Sequence, residues 1–238
     1  GTVKKTDMSL FSRQRSVGLR AIELDDDDVL VGTAVTDGSQ DIMLFSSEGK
    51  VVRFAESAVR AMGRTARGVR GIKLAPGHRL ISLVVPKEGS KILTVSENGY
   101  GKRSETQEFP VKGRGTKGVI GMTMSERNGS LVGAEQVWDG DEMMLISNQG
   151  TAVRTRVEEV SVQGRNTQGV RVIKTRDGEA LVSVSRIAED DIDAADPVSD
   201  LDQQVSGGAP SDDTGIAAGD VADGSEVRDT SDSSEGDG

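Results

Sequence analysis

The sequence predicts an all-β fold of the propeller type, with about four blades of four strands each, followed by an acidic tail that has no fold of its own. Three observations lead there. Two glycine-centred markers recur in register about every fifty residues. The segments between them read as short aliphatic strands joined by tight turns. The composition changes abruptly near residue 188.

The first marker is an apolar strand that ends in Ser-x-x-Gly. It reads Met43-Leu44-Phe45-Ser46-Ser47-Glu48-Gly49, then Ile92-Leu93-Thr94-Val95-Ser96-Glu97-Asn98-Gly99, then Met144-Leu145-Ile146-Ser147-Asn148-Gln149-Gly150. A short strand carrying a base follows each copy: Val52-Arg53-Phe54, Lys102-Arg103-Ser104 and Val153-Arg154-Thr155, with Gly1-Thr2-Val3-Lys4-Lys5-Thr6 as a fourth. The turn glycines at 1, 49, 99 and 150 are spaced by 48, 50 and 51 residues. Glycine suits a hairpin turn because it reaches positive φ without steric cost.

The second marker is a glycine loop bearing Arg or Lys. It reads Gly63-Arg64-Thr65-Ala66-Arg67-Gly68-Val69, Gly113-Arg114-Gly115-Thr116-Lys117-Gly118-Val119 and Gly164-Arg165-Asn166-Thr167-Gln168-Gly169-Val170. A degenerate first copy is Arg13-Gln14-Arg15-Ser16-Val17-Gly18-Leu19. In the second copy of the repeat, strands are expected at about Lys50–Phe54, Val69–Leu74, Arg79–Val85 and Lys91–Val95, from their period-two alternation. Blades are expected at about 1–48, 49–98, 99–149 and 150–187. A solenoid is the second architecture; Trp-Asp occurs once, at Trp138-Asp139, so the recurring Trp-Asp signature of the commonest propellers is missing. Gly1 stands where the second strand of a hairpin begins, so the chain is expected to start inside a longer array.

Charge divides the chain. Residues 1–187 hold 28 Lys and Arg against 23 Asp and Glu, whereas 188–238 hold one Arg against 16 acids. The tail is mostly Asp, Ser, Gly and Ala, with few large apolar residues, and is expected to be disordered, having too little apolar surface to offset its ordering entropy. There is no cysteine, hence no disulfide framework or thiolate metal site. No apolar run approaches the ~18 residues of a membrane span, and the charged first twenty residues hold no signal-peptide core, so the expected address is the cytoplasm.

The glycine loop carries the functional signal. Glycine lets the backbone approach a partner and expose its N–H groups. Arg64 and Arg67, Arg114 and Lys117, and Arg165 add positive charge, and Thr116 and Thr167 add hydroxyls, the groups that contact phosphate oxygens. Repeated at blade intervals, they match a bent polyanion. One such loop alone reads better as a solvated turn. The scarcity of aromatics and the absence of a recognition helix leave duplex backbone, not base edges, as the expected ligand. Asp25–Asp28 reads as a solvated turn, and His78 and Tyr100, each the only one of its kind, have no catalytic partners in sequence.

At Gly49–Phe54, Ser57–Gly63, Glu97–Arg103, Thr116–Ile120 and Val162–Val170 the chain resembles the C-terminal domains of DNA gyrase A, part of a type IIA topoisomerase. The resemblance covers about residues 1–187. It implies a β-pinwheel, part of a six-bladed array whose blades exchange strands, that wraps duplex DNA on a basic rim in support of ATP-dependent negative supercoiling. It further implies partnership with the rest of gyrase A and with gyrase B in an A2B2 enzyme of the bacterial, nucleoid-associated cytoplasm. ATP and Mg2+ are used elsewhere in that enzyme; no cofactor, metal or catalytic residue is expected here. The DNA-binding set is then Lys4, Lys5, Arg13, Arg15, Arg53, Arg60, Arg64, Arg67, Lys102, Arg103, Arg114, Lys117, Arg154 and Arg165. The family's defining box, Gln-Arg-Arg-Gly-Gly-Lys-Gly, does not occur, and the loops at Arg64, Arg114 and Arg165 are its degenerate counterparts. A protein-docking propeller and the related domain of topoisomerase IV are the alternatives.

A tethered polyanion has a high effective concentration at a basic surface. Deleting residues 188–238 is therefore expected to tighten duplex binding at low salt, as read by fluorescence anisotropy; an unchanged affinity refutes competition by the tail.

Overall fold

The computed structural model describes residues 1–13 and 16–189. The acidic tail and its expected disorder lie outside them, apart from Ala188 and Glu189. The strands, in chain order, are β1 (Thr2–Val3), β2 (Asp41–Ser46), β3 (Lys50–Ala55), β4 (Val69–Arg70), β5 (Leu80–Val84), β6 (Lys91–Ser96), β7 (Tyr100–Glu105), β8 (Val119–Ile120), β9 (Leu131–Val137), β10 (Glu142–Ser147), β11 (Ala152–Arg156), β12 (Val170–Arg171) and β13 (Leu181–Ile187). Every pairing between them is antiparallel.

The unit of each sheet is a hairpin closed by the Ser-x-x-Gly turn: β2–β3, β6–β7 and β10–β11. A third strand, β5, β9 or β13, lies on the outer side of the first hairpin strand. The fourth strand comes from the next copy of the repeat. Thus β8 pairs with β3, β12 pairs with β7, and β4 pairs with β1. The described residues accordingly form sheets of order β5-β2-β3-β8, β12-β7-β6-β9 and β11-β10-β13, with β1-β4 as a two-stranded remnant. The stretch 49–98 therefore contributes to three sheets, because its turn glycine lies inside a hairpin and its glycine loop leads into the neighbour's sheet. Among the described residues the first copy has no counterpart of β2 for a third strand to lean on, and Val29, Leu30 and Val35 stay exposed.

The two sequence markers turn out to be the two halves of one joint. The carbonyl of Gly49 accepts from both Gly121 N–H and Met122 N–H, at 2.8 and 3.1 Å. Gly99 does the same for Val172 and Ile173, at 2.8 and 3.2 Å, and Gly1 for Gly71 and Ile72, at 2.9 and 3.1 Å. Gly49 has φ +76°, and a Cβ there would stand 2.2 Å from the Met122 carbonyl oxygen. From the other side, a Cβ on Gly118 would stand 2.3 Å from the Val51 carbonyl oxygen. Backbone meets backbone at the joint, so neither position tolerates a side chain.

The core forms layers between successive sheets. Met43, Phe45, Val51 and Val84 pack against Ile92, Tyr100, Phe109 and Leu131, with Phe45 and Phe109 edge to face at 6.3 Å. Leu93, Val95 and Val137 pack against Met143, Leu145, Leu181 and Val184 in the same way.

The joint is tested by two substitutions at equivalent turns. Alanine at either position bears the left-handed backbone cost of about 1–2 kcal/mol. Gly49→Ala also drives a methyl into a carbonyl, whereas Gly150 has φ +81° and open space around it. Denaturant titration is expected to show a loss of about 3 kcal/mol or more for Gly49→Ala and about 1 for Gly150→Ala. Equal losses refute the joint.

Candidate nucleic-acid interface

The fourteen expected DNA-binding residues separate into three groups once placed on this frame. The bases on the hairpin strands point into the boundary between copies. Arg53 donates through Nε to Asp41 at 2.8 Å and through NH1 to the carbonyls of Thr106 and Phe109 at 2.8 and 3.2 Å. Arg103, one copy later, repeats the arrangement on the carbonyls of Val160 and Glu158, at 2.6 and 3.1 Å, and pairs with Asp139. Lys5 holds the Glu56 carbonyl at 3.1 Å and lies 3.6 Å from its carboxylate. Each of these bases grips the short 3-10 turn of the following copy. Arg154 has no such turn to grip among the described residues and pairs with Glu142 on the adjacent strand.

Lys102 and Lys4 make a second set of clamps. Lys102, fully buried, donates to the carbonyls of Gly164 and Arg165 at 2.7 and 2.6 Å. Burial pulls its ammonium down to about 8, opposed by Glu108 and aided by the neighbouring Arg165. Lys4 donates to the carbonyls of Ala21 and Arg64 and is also held below the ordinary lysine range, chiefly by burial and then by Arg64. Lys102 and Arg103 are thus removed from the expected outer grips, with Arg53 largely so. A base within a strand reads in sequence as an exposed position, but here the facing carbonyls of the next copy supply acceptors that make its burial tolerable.

The glycine loops divide as well. Arg114 donates to the carbonyls of Ala58 and Arg70 at 2.9 and 3.0 Å, and Arg165 to the Ile120 carbonyl at 2.9 Å, so each straps its loop to the preceding copy. Thr167 donates to Gly164 within its own loop at 3.0 Å and is not an outward hydroxyl. Arg67 is exposed but engaged by Glu23 and by Asp25, at 3.4 and 2.6 Å, so the Asp25–Asp28 run supplies a counter-charge to the first full loop. Arg64 is half-buried and makes no ion pair among the described residues. Arg13, Arg60 and Lys117 are exposed, and no acceptor holds their side chains among the described residues. Arg15 lies outside the described residues. His78 Nδ1 sits 3.2 Å from Ser47 Oγ in a turn.

Sequence reasoning missed a further set. Arg70, Lys73, Lys112 and Lys174 are exposed, and their side chains carry no counter-ion among the described residues. The signal was present: Arg70 and Arg171 each stand two residues after the marker glycine, and Lys73 and Lys174 five after it. These positions lie on, or just beyond, the exchanged strands, so the joint fixes them two copies apart, with Ile120 and Thr123 at the same places in the copy between. Among the described residues no helix is long and apolar enough to cross a membrane, which says nothing of β-barrels.

The family model described as DNA gyrase C-terminal domain, beta-propeller, matches residues 1–37, 40–87, 90–137 and 141–188. The gyrase A protein of Pseudomonas aeruginosa is 58% identical over 79% of this chain and 20% of its own length. That of Salmonella typhimurium is 56% identical over 82% and 23%. The chain therefore spans about a fifth to a quarter of the curated relatives it matches. Among solved structures, a DNA gyrase A C-terminal domain aligns with TM-score 0.66 and 32% identity, over 72% of this chain and 59% of that one. The C-terminal domain of a DNA topoisomerase IV aligns with TM-score 0.75 and 25% identity, over 82% and 62%. Sequence identity to gyrase over four matched repeats, joined by the strand exchange described above, is decisive: this chain belongs to the family of DNA gyrase C-terminal β-propeller domains.

Proposed function

We propose that this domain binds duplex DNA through its phosphate backbone and bends it, within a gyrase that introduces negative supercoils at the expense of ATP. The observation that carries this reading is a set of exposed bases, without counter-ions among the described residues, in and beside the glycine loops: Lys73 recurs two copies on as Lys174, and Arg70, Lys112 and Lys117 add to it. Charges distributed along successive copies meet a polyanion whose own charges are regularly spaced. Bending stiff duplex by 40–90° over a short site costs on the order of 1–6 kcal/mol, which several distributed contacts offset. Strand cleavage, ATP hydrolysis and Mg2+ binding belong in this reading to the rest of gyrase A and to gyrase B, in the bacterial cytoplasm. The clamps at Arg53, Lys102 and Arg103 serve binding only by holding the copies in register.

A salt titration tests the proposal. Each phosphate contact contributes a slope of about −0.9 to log K against log salt, so contacts by most of the five bases give about −3 to −5. Lys117→Ala is expected to reduce the slope by about one without changing stability. Arg103→Ala is expected to lower unfolding free energy by about 2–4 kcal/mol, because it orphans buried carbonyls, yet to leave the slope of the folded protein unchanged. No binding at low salt, or a flat slope, sinks the proposal in favour of a protein-docking propeller.

A further inference from the structure

At the joint between the third and fourth copies, two arginines converge on the chain's single tyrosine. Arg171, on the exchanged strand β12, is the direct cross-strand partner of Tyr100. Its NH2 donates to the phenol oxygen at 2.9 Å, and Arg127 Nε donates to the same oxygen at 3.2 Å. Both guanidinium carbons lie over the ring, 4.8 Å (Arg127) and 5.4 Å (Arg171) from its centroid. The ring is buried and both arginines are exposed.

Two features set this cluster apart from ordinary packing. Neither arginine has a carboxylate partner among the described residues. Glu97, the acid just before the turn, accepts from Ser130 N–H at 2.8 Å, and Glu126 forms no ion pair among them either. Two like charges are therefore gathered on a neutral oxygen, an arrangement that an arriving anion relieves. The donors also remain unspent. Each guanidinium uses one of its five N–H groups on the phenol, and the phenol's own O–H has no acceptor among the described residues.

The seat is held rigidly. Buried Asn128 donates to the carbonyls of Thr123 and Gln168, at 2.9 and 3.2 Å, tying the loop that carries Arg127 to the incoming fourth copy. Asn98 donates to the carbonyls of Glu126 and Arg127, both at 3.2 Å. At the two other joints the position of Tyr100 is taken by Thr2 or Lys50, facing Arg70 or Ile120, so no aromatic seat is built there.

We propose that Tyr100, Arg127 and Arg171 form a phosphate seat that takes one phosphodiester of duplex DNA, gripped by the guanidinium forks and the phenol O–H. The assignment rests on the DNA-binding reading above and adds a fixed register point to it. Arginine forks match phosphate geometry, and the site is complete only when the fourth copy has docked.

The single tyrosine reports on its own site. Hydrogen bonds from Arg127, then Arg171, with their charges, hold the phenol below its usual value. An anion that neutralises the arginines raises it again, and by reciprocity anion affinity falls as pH rises through the phenol's titration. The experiment follows phenolate ultraviolet absorbance of the whole chain against pH, alone, with inorganic phosphate and with a short duplex. The expected result is an upward shift of roughly one pH unit with duplex. In Arg171→Ala the unliganded titration is already raised and the shift disappears, while fluorescence of Trp138, just after β9, certifies the fold. Tyr100→Phe is expected to weaken duplex binding about two- to fivefold. Duplex binding that leaves the Tyr100 titration unmoved overturns the seat while sparing the DNA-binding reading. A shift with inorganic phosphate but not with duplex assigns the seat to free phosphate and overturns its place on the DNA. Failure to bind duplex at all overturns both.

Discussion

A glycine carbonyl that accepts two amides from the next copy of the repeat is the interaction on which the molecule is built. Three such joints among the described residues, at Gly1, Gly49 and Gly99, close sheets that the local hairpin cannot close alone. Their geometry leaves no room for a Cβ on either side, and this is why two glycine markers run in phase through the sequence. The joint brings successive sheets face to face, and the apolar layers of Phe45 with Phe109, or of Val137 with Leu145, form in the space it defines. Stability is therefore a property of neighbouring pairs, as in other repeat proteins.

The charges follow the same logic. A buried cation is expensive unless acceptors surround it. Arg53, Lys102 and Arg103 find most of theirs in the backbone of the following copy, so they discriminate a correctly seated neighbour from a slipped one. Bases that meet no such acceptors, Lys73, Lys117 and Lys174 among them, stay outside. One residue type thus serves two purposes, and what separates them is whether a facing turn offers carbonyls.

The period, the turns and most strand positions were legible in the sequence because they depend on local chemistry, glycine at positive φ and alternating aliphatic residues, although the strand expected over Val69–Leu74 is formed only at Val69–Arg70. The distribution of those strands among sheets was not, since a hydrogen-bond partner fifty residues away leaves no mark on local pattern. Burial of Lys102 was hidden for a related reason. Lysine is among the residues least often buried, and only the approach of Gly164 and Arg165 reverses the expectation. The glycine loop was found but weighted toward its first arginine, when Arg114 and Arg165 are largely straps. The bases just after the loop, Arg70, Lys73 and Lys174, are exposed, as is Lys117 within it. Tyr100 gave no sequence hint of its two arginines, because Arg127 and Arg171 reach it from a separate loop and a separate copy.

Borrowing a strand from the next copy also sets a timetable. A ribosome that has delivered β2, β3 and β5 has delivered a sheet with an open side, and it stays open until Ile120 emerges. The following sheet waits in turn for Arg171. Each newly made copy is thus a template with an unpaired edge, and what it accepts next is decided by whichever Gly-Val segment leaves the exit tunnel first. Order of synthesis, N-terminal copies before C-terminal ones, supplies the correct segment at the correct moment. A chain refolding from the fully denatured state has no such order, since all its Gly-Val segments compete for every open edge at once.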